Sequence, residues 1–243
     1  ITPISLGEGE KWPGHFWWVY LALRLGGEEA FLSAYNREGA FTDAPFVQAG
    51  EYLQQLIDLE PFNEGFLGMT HPESEGVFGN GEAAMILMGH WVPDAQAQYS
   101  ESGEGIGDEN LGFFNFPAIP EGAGNPGDVL GGGDGFAVGA NAPDEAVDFL
   151  RFLTSVENQR IGAEIFIVPV VKGLEDIFAD NPVMQAILET RNNAPYFQLY
   201  YDQFLPPAVG GAVNDAVEML FAGIATPEEV AQAIEDAAAA ELD

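Results

Sequence analysis

The stretch WPGHFWWVYLALRLGG, residues 12–27, constrains the fold more than any other. Pro13 suits the first turn of a helix, where its missing N–H costs nothing. Gly26 and Gly27 are suited to end that helix near Leu25. Between them Phe16, Trp17, Trp18, Val19, Tyr20, Leu21, Leu23 and Leu25 leave no polar face. A helix that is apolar all round must be covered on most sides. The chain therefore has to build a core around residues 13–25, and its 47% apolar content suffices for that.

The candidates for that cover follow in order. A helix from about Pro45 to Leu59 carries Phe46, Ala49, Leu53, Leu56 and Ile57 on one stripe. A short helix and turn is expected over 73–82. AAMILMG, 83–89, reads as a buried strand, and LGFFNF, 111–116, as a second. The Gly-rich stretch 125–143 encloses a short strand near Gly135 to Val138. Pro143 then opens a helix with the stripe Ala146, Phe149, Leu150 and Leu153. Further helices are expected over about Val156 to Ile165, Pro182 to Arg191, Pro207 to Phe221, and Thr226 to Leu242. The last begins Thr226-Pro227-Glu228-Glu229, a capping box. Few strands separated by helices make the class α/β. At 243 residues, one large domain or two small lobes both fit. The chain begins ITPISLGEGE, without Met or a signal peptide, and reads as a processed or excised piece.

Composition removes several kinds of chemistry. There is no Cys, so disulfides, thiolate catalysis and Cys-zinc sites are excluded. His15, His71 and His90 show no HxxxH or HxH spacing, so no metal is expected, and no cofactor is implied. There is no GxSxG elbow. GGGDGFAVG lacks the GKS/T ending of a phosphate loop. Seven Lys plus Arg against 39 Asp plus Glu give a net charge of −32, which makes nucleic acid and anionic lipid poor partners. Glu8 with Glu10, or Asp134 with Asp202, could in principle serve as a glycosidase pair. With 39 acids such pairs are easy to find by chance.

The aromatic clusters carry more information. KWPGHFWW, 11–18, and MGHWV, 88–92, hold all four Trp. Aromatic faces stack on the C–H faces of sugar rings, while nearby polar groups take the hydroxyls. Trp12 and Trp91 lie at the ends of expected elements, where binding groups collect. They are the expected platform. Trp18 is expected in the core, and Trp17 in either place.

VFGNGEAAMILMGHW, 77–91, resembles the extracellular solute-binding proteins of ATP-binding-cassette sugar importers, the family that includes maltose-binding protein. Phe78, Gly81, Ala83, Ala84, Met85, Gly89 and Trp91 carry the pattern. PISLG…WP, GGGDGFAVGANAPDEAVDFLRFLTSVENQ and YYDQFLPPAVGGAVNDAVEMLFAGIATPEEVAQAIE continue it in the family's order. The resemblance implies a two-lobed, type II periplasmic-binding-protein-like α/β fold with most of the N-terminal lobe missing from this chain. Residues 1–130 and 176–243 would form the C-terminal lobe, and 131–175 would belong to the other. That other lobe would be supplied by another polypeptide, or the chain is a fragment.

The resemblance also implies a ligand site. Trp91 matches the position that stacks on sugar. Gly132, Gly133 and Asp134 match a ligand-facing loop, with Asp134 where other members often have an aromatic. Asp202 and Gln203 match a polar pair facing the cleft. Trp12, Glu10 and His15 match a region that contributes an aromatic and an acid, and Trp17 adjoins it. The implied function is a substrate-binding subunit that closes on a carbohydrate and docks on permease subunits at the membrane. It would work outside the cytoplasm, anchored by an N-terminal segment. The alternatives are a secreted carbohydrate-active hydrolase using paired carboxylates, and an inactive structural fragment.

The near absence of Lys, found only at positions 11 and 172, beside so many acids points to adaptation to high salt. Stability is expected to rise between roughly 0.1 M and 1 M KCl, as the Debye length shrinks from about 10 Å to about 3 Å. Thermal melting across that range checks this. A midpoint that stays flat or falls would remove the high-salt reading.

Overall fold

A computed structural model describes residues 1–164, 167–174 and 176–242. In chain order its elements are β1 (Thr2–Ser5), α1 (Trp12–Tyr35), α2 (Ala44–Ile57), α3 (His71–Gly79), β2 (Ala83–Ile86), α4 (Val92–Gln98) and β3 (Val129–Gly131). Then come α5 (Glu145–Leu153), α6 (Val156–Ala163), α7 (Pro182–Asn193), β4 (Phe197–Leu199), α8 (Tyr201–Phe204), α9 (Pro207–Phe221) and α10 (Pro227–Glu241). The architecture is helix-rich α/β, with β1 parallel to β2 and β3 parallel to β4.

The apolar helix is the centre of the core, as its composition demands. Trp18 and Val19 of α1 are fully buried among Phe46 and Leu53 of α2, Val213 and Val217 of α9, and Val230 and Ile234 of α10. The helix does not end at Gly26–Gly27. Gly27 takes φ 64° and ψ −165°, which kinks the chain, and the helix resumes to Tyr35. Glu28 and Glu29 then open the second half, where negative charge suits a helix start, and Phe31 and Ala34 are buried.

The kink frees carbonyls that need donors. The loop beyond residue 116 supplies them: Ala123 N–H reaches Leu25 O at 2.9 Å and Gly124 N–H reaches Arg24 O at 3.1 Å. A Cβ at Gly122 or Gly124 would run into the α1 backbone, so glycine is required for the approach.

The same loop satisfies the one charge inside the helix. Buried Arg24 donates from Nη2 to Phe116 O at 2.9 Å and from Nη1 to Asp128 O at 3.0 Å. Its guanidinium lies over the Tyr20 ring at 5.3 Å. With the carbonyls of Phe116 and Pro117 turned to Arg24, residues 111–116 do not form the expected strand. The strand expected near Gly135 is also absent. β3 lies upstream instead, because Val129 N–H bonds Tyr196 O and Tyr200 N–H bonds Gly131 O. β2 stops at Ile86, short of Gly89.

After residue 180, α7, α9 and α10 match their patterns closely, and the short α8 is not among the expected elements. α9 has its expected bounds, and Thr226 and Glu229 form the capping box of α10. The stripe of α5 is only partly covered among the described residues: Ala146, Leu150 and Leu153 are half-buried, while Phe149 is 57% exposed and neighbouring Phe152 is 63% exposed. The expected end of the next helix, Ile165, lies outside the described residues, as does Phe166. A small second core joins Ala163 and Val168 to Phe178, Met184, Ile187 and Leu188. The expected lobe boundary near residue 175 falls within that core.

One buried acid marks the start of α1. The Glu8 side chain is fully buried against Gly14 in the first turn. Burial pushes its carboxyl up to about 9; the Gly14 amide pulls the other way, nearby Glu218 adds to the rise and Lys11 opposes it. The folded state thus keeps a proton that the unfolded chain loses near 4.5. Stability should therefore fall as pH rises between those values, with a slope approaching about 1.4 kcal/mol per pH unit at most. Glu8→Gln mimics the protonated acid and should flatten this dependence. Urea unfolding of both proteins at about pH 5, 7 and 9 measures it; parallel curves would show that Glu8 is ionised in the fold.

Candidate ligand-binding cleft

A cleft of about 2380 Å³ opens between the β2–α4 region, the Gly-rich loop after β3, and the start of α8. Small-molecule pockets commonly measure roughly 300–1,000 Å³, so this one has room for several rings.

Three rings form one wall. Trp12 begins α1, His71 begins α3, and Trp91 precedes α4. The Trp12 ring centre lies 4.9 Å from that of His71 and 6.4 Å from that of Trp91, with the latter pair edge to face. The pattern behind them is local. Thr70 and Glu73 cap α3 reciprocally, which starts the helix at His71 and puts Glu75 one turn later on the same face. Glu75 is fully buried. Its Oε1 accepts the Trp91 indole N–H at 2.8 Å and lies 3.1 Å from His71 Nε2. One buried side chain thus fixes Trp91 by a hydrogen bond and packs against the His71 ring.

The opposite end is more polar. Tyr200 stacks on Phe16 at 4.6 Å, and Asp202, Gln203, Gly132, Gly133 and Asp134 line the cleft with it. Asp202 is held from behind. Asn214 Nδ2 reaches its Oδ2 at 3.4 Å, and His15 Nε2 lies 3.6 Å from its Oδ1.

Eight of the ten residues expected at the site line this cleft: Trp12, Trp17, Trp91, Gly132, Gly133, Asp134, Asp202 and Gln203. Trp17 is half-buried and also packs its ring against Phe62 and Phe116. Trp18 is fully buried on Phe46. Two of the ten do not line the cleft. His15 is fully buried; its Nδ1 is 2.6 Å from Trp12 O, and burial pulls its pKa down against the pull of Asp202. It reaches the cleft through the residues it packs against, Asp202, Tyr200 and Phe16. Glu10 is exposed and spends Oε2 on the His71 backbone N–H at 2.8 Å. With Glu8 buried elsewhere, Glu8 and Glu10 do not face a common open space.

Sequence reasoning missed His71, Glu75 and Tyr200. The T-x-x-E spacing at Thr70–Glu73 is the signal that starts α3 at His71 rather than 73. Nothing local marks Tyr200, which reaches the cleft through the pairing of β4 with β3.

Glu75→Ala should leave the Trp91 indole N–H without its partner and destabilise the fold by about 1–3 kcal/mol. Glu75→Gln keeps an acceptor and should lose less. Urea unfolding gives the difference, and the Trp91 indole N–H resonance should shift more in the Ala variant. Equal losses in the two variants would mean that this bond does not hold Trp91.

Comparisons with known proteins identify the family. Residues 2–160 match the family model of the bacterial extracellular solute-binding proteins. An uncharacterized ABC transporter extracellular-binding protein of Pyrococcus horikoshii is 29% identical over 161 residues, covering 65% of this chain and 33% of the relative. A chitin oligosaccharide binding protein superposes with a TM-score of 0.87 at 26% identity, over 99% of this chain and 60% of that one. A protein solved in work on xylan utilization by the thermophilic bacterium Caldanaerobius polysaccharolyticus gives 0.85 at 26% identity, over 97% and 61%. The chain thus spans about a third of the curated relative and about 60% of these structures. Its fold is part of a periplasmic-binding-protein fold, and the chain belongs to the bacterial extracellular solute-binding protein family.

Proposed function

We propose that the chain is the larger part of an ABC-importer binding protein that holds an oligosaccharide on the Trp12–His71–Trp91 wall and delivers it to a membrane permease. The single observation that carries this reading is that wall, braced by buried Glu75 at the mouth of a cleft with room for several rings. Flat aromatic faces serve sugar C–H surfaces, and Asp134, Asp202 and Gln203 serve the hydroxyls. The relatives named for chitin oligosaccharide binding and for xylan utilization support a carbohydrate ligand. The protein binds and does not turn over its ligand, and it works outside the cytoplasmic membrane. The second lobe comes from polypeptide beyond this chain and joins the face of 131–175, together with α7 through the small second core. Closure of the lobes is favoured by the contacts the ligand gains in the closed state.

Trp91→Ala should weaken oligosaccharide binding by about 1–3 kcal/mol. Trp91→Phe keeps a stacking face and should bind within several-fold of the parent. Calorimetry against a panel of oligosaccharides, with melting of each variant alongside, separates binding from folding. Unchanged affinity with a large fall in melting temperature would mean that Trp91 is core and the platform lies elsewhere.

A further inference from the structure

Arg191 stands out in a chain where acids outnumber Lys plus Arg 39 to 7. Most other cations are taken up. Lys11 pairs with Asp215 and Glu218, Arg37 with Glu235, Arg151 with Asp148, and Arg160 with Asp176. Arg24 is buried on backbone carbonyls. Arg191 is different. It is exposed in the last turn of α7 and lines the cleft. Its Nε and Nη2 rest on the adjacent Asn192 Oδ1, at 3.1 Å and 2.9 Å. Among the described residues, no carboxylate lies within 4 Å of it. Asp134 and Asp202 line the same cleft without pairing with it.

The guanidinium shares the cleft with the aromatic wall. His90 lines the cleft next to Trp91, with ring centres 5.7 Å apart. His90 is held below its ordinary pKa first by burial and then by the charge of Arg191. A ligand several rings long that stacks on Trp91 can therefore reach, in the same cleft, a guanidinium with no carboxylate partner among the described residues. A place at the helix C-terminus explains a positive charge there through the dipole. It does not explain why a cation lining the cleft has only a neutral amide as its partner.

We infer that the cleft takes an oligosaccharide bearing a carboxylate, a uronic-acid sugar, with Arg191 as the anchor of that group. The inference rests on the carbohydrate reading above and narrows it. A planar carboxylate matches the guanidinium fork with two parallel hydrogen bonds. The net charge of −32 repels anions at long range, but salt screens that field within about 10 Å at 0.1 M and leaves the short contact in place.

The test is calorimetry on the full-length protein with two matched pairs. One pair is xylotetraose with and without a glucuronic acid branch. The other is tetragalacturonate and its methyl ester. In at least one pair the acid should bind about tenfold tighter than its neutral partner, as a charge-assisted bidentate contact allows. Arg191→Gln should abolish that preference and leave the neutral member unchanged. Arg191→Lys, which keeps charge but not the fork, should restore part of it. Neutral members that bind as well as the acids in both pairs would overturn the inference and leave the carbohydrate reading standing, provided a neutral member binds. Equal weakening of both members by Arg191→Gln would assign Arg191 a structural role and overturn it too. If neither these sugars nor the wider oligosaccharide panel bind at all, the carbohydrate reading fails and the inference falls with it.

Discussion

A single arginine inside an otherwise apolar helix governs the layout. Arg24 cannot be buried without acceptors, because an uncompensated interior charge is costly. Its donors are met by the carbonyls of Phe116, Pro117, Asn125 and Asp128. The kink at Gly27 adds the reverse demand, since carbonyls freed there need N–H groups, and Ala123 and Gly124 bring them. One segment thus meets both needs and is drawn across α1. That crossing delivers the chain to β3, where Leu130 N–H bonds the Tyr20 hydroxyl at 3.1 Å. The Gly132–Asp134 loop begins there and forms one side of the cleft. The position of the polar loop therefore follows from how the core satisfies one cation.

What was legible in the sequence divides along physical lines. Helices with a full apolar stripe and a local cap could be read, as α9 and the capped α10 illustrate. Their signals lie within a few residues of each other. The strands could not be placed well, because β3 and β4 are three residues each and exist through pairing across more than sixty positions. LGFFNF has strand composition, yet its neighbouring carbonyls answer to Arg24, a partner no local window contains. The platform was half legible. Trp12 and Trp91 stood out as aromatics at element ends, whereas Glu75, which orients Trp91, was one acid among 39. His15 was misplaced for a related reason: proximity in sequence to Trp12 does not reveal that its ring turns inward.

Acidity plays two separate parts. Most of the 39 carboxylates are solvated, and their effect is collective and screened by salt. A few are removed from water and act individually. Glu8 and Glu75 are fully buried, and Asp128 is nearly so. Glu75 holds Trp91 and lies against His71, and Glu8 sits under the helix that carries Trp12. High salt relaxes the first group and barely touches the second. A chain can then tolerate an extreme surface charge without losing the geometry of its cleft, because that geometry depends on acids that solvent ions do not reach.

The apolar face of α5 and α6 sets the last constraint. Phe149, Phe152, Val156 and Ile161 are each more than half exposed. The satellite core beneath them is small, built on Ala163, Phe178 and Met184. Apolar surface of this extent is characteristic of contact surfaces. The chain spans about 60% of the length of the solved relatives. On the proposed two-lobed reading, the same burial that hides this face would also bring a second wall over the cleft opposite Trp12 and Trp91. Covering the face and completing the site are then one event. On that reading, the apolar face of α5 and α6 is the physical reason the two lobes would meet.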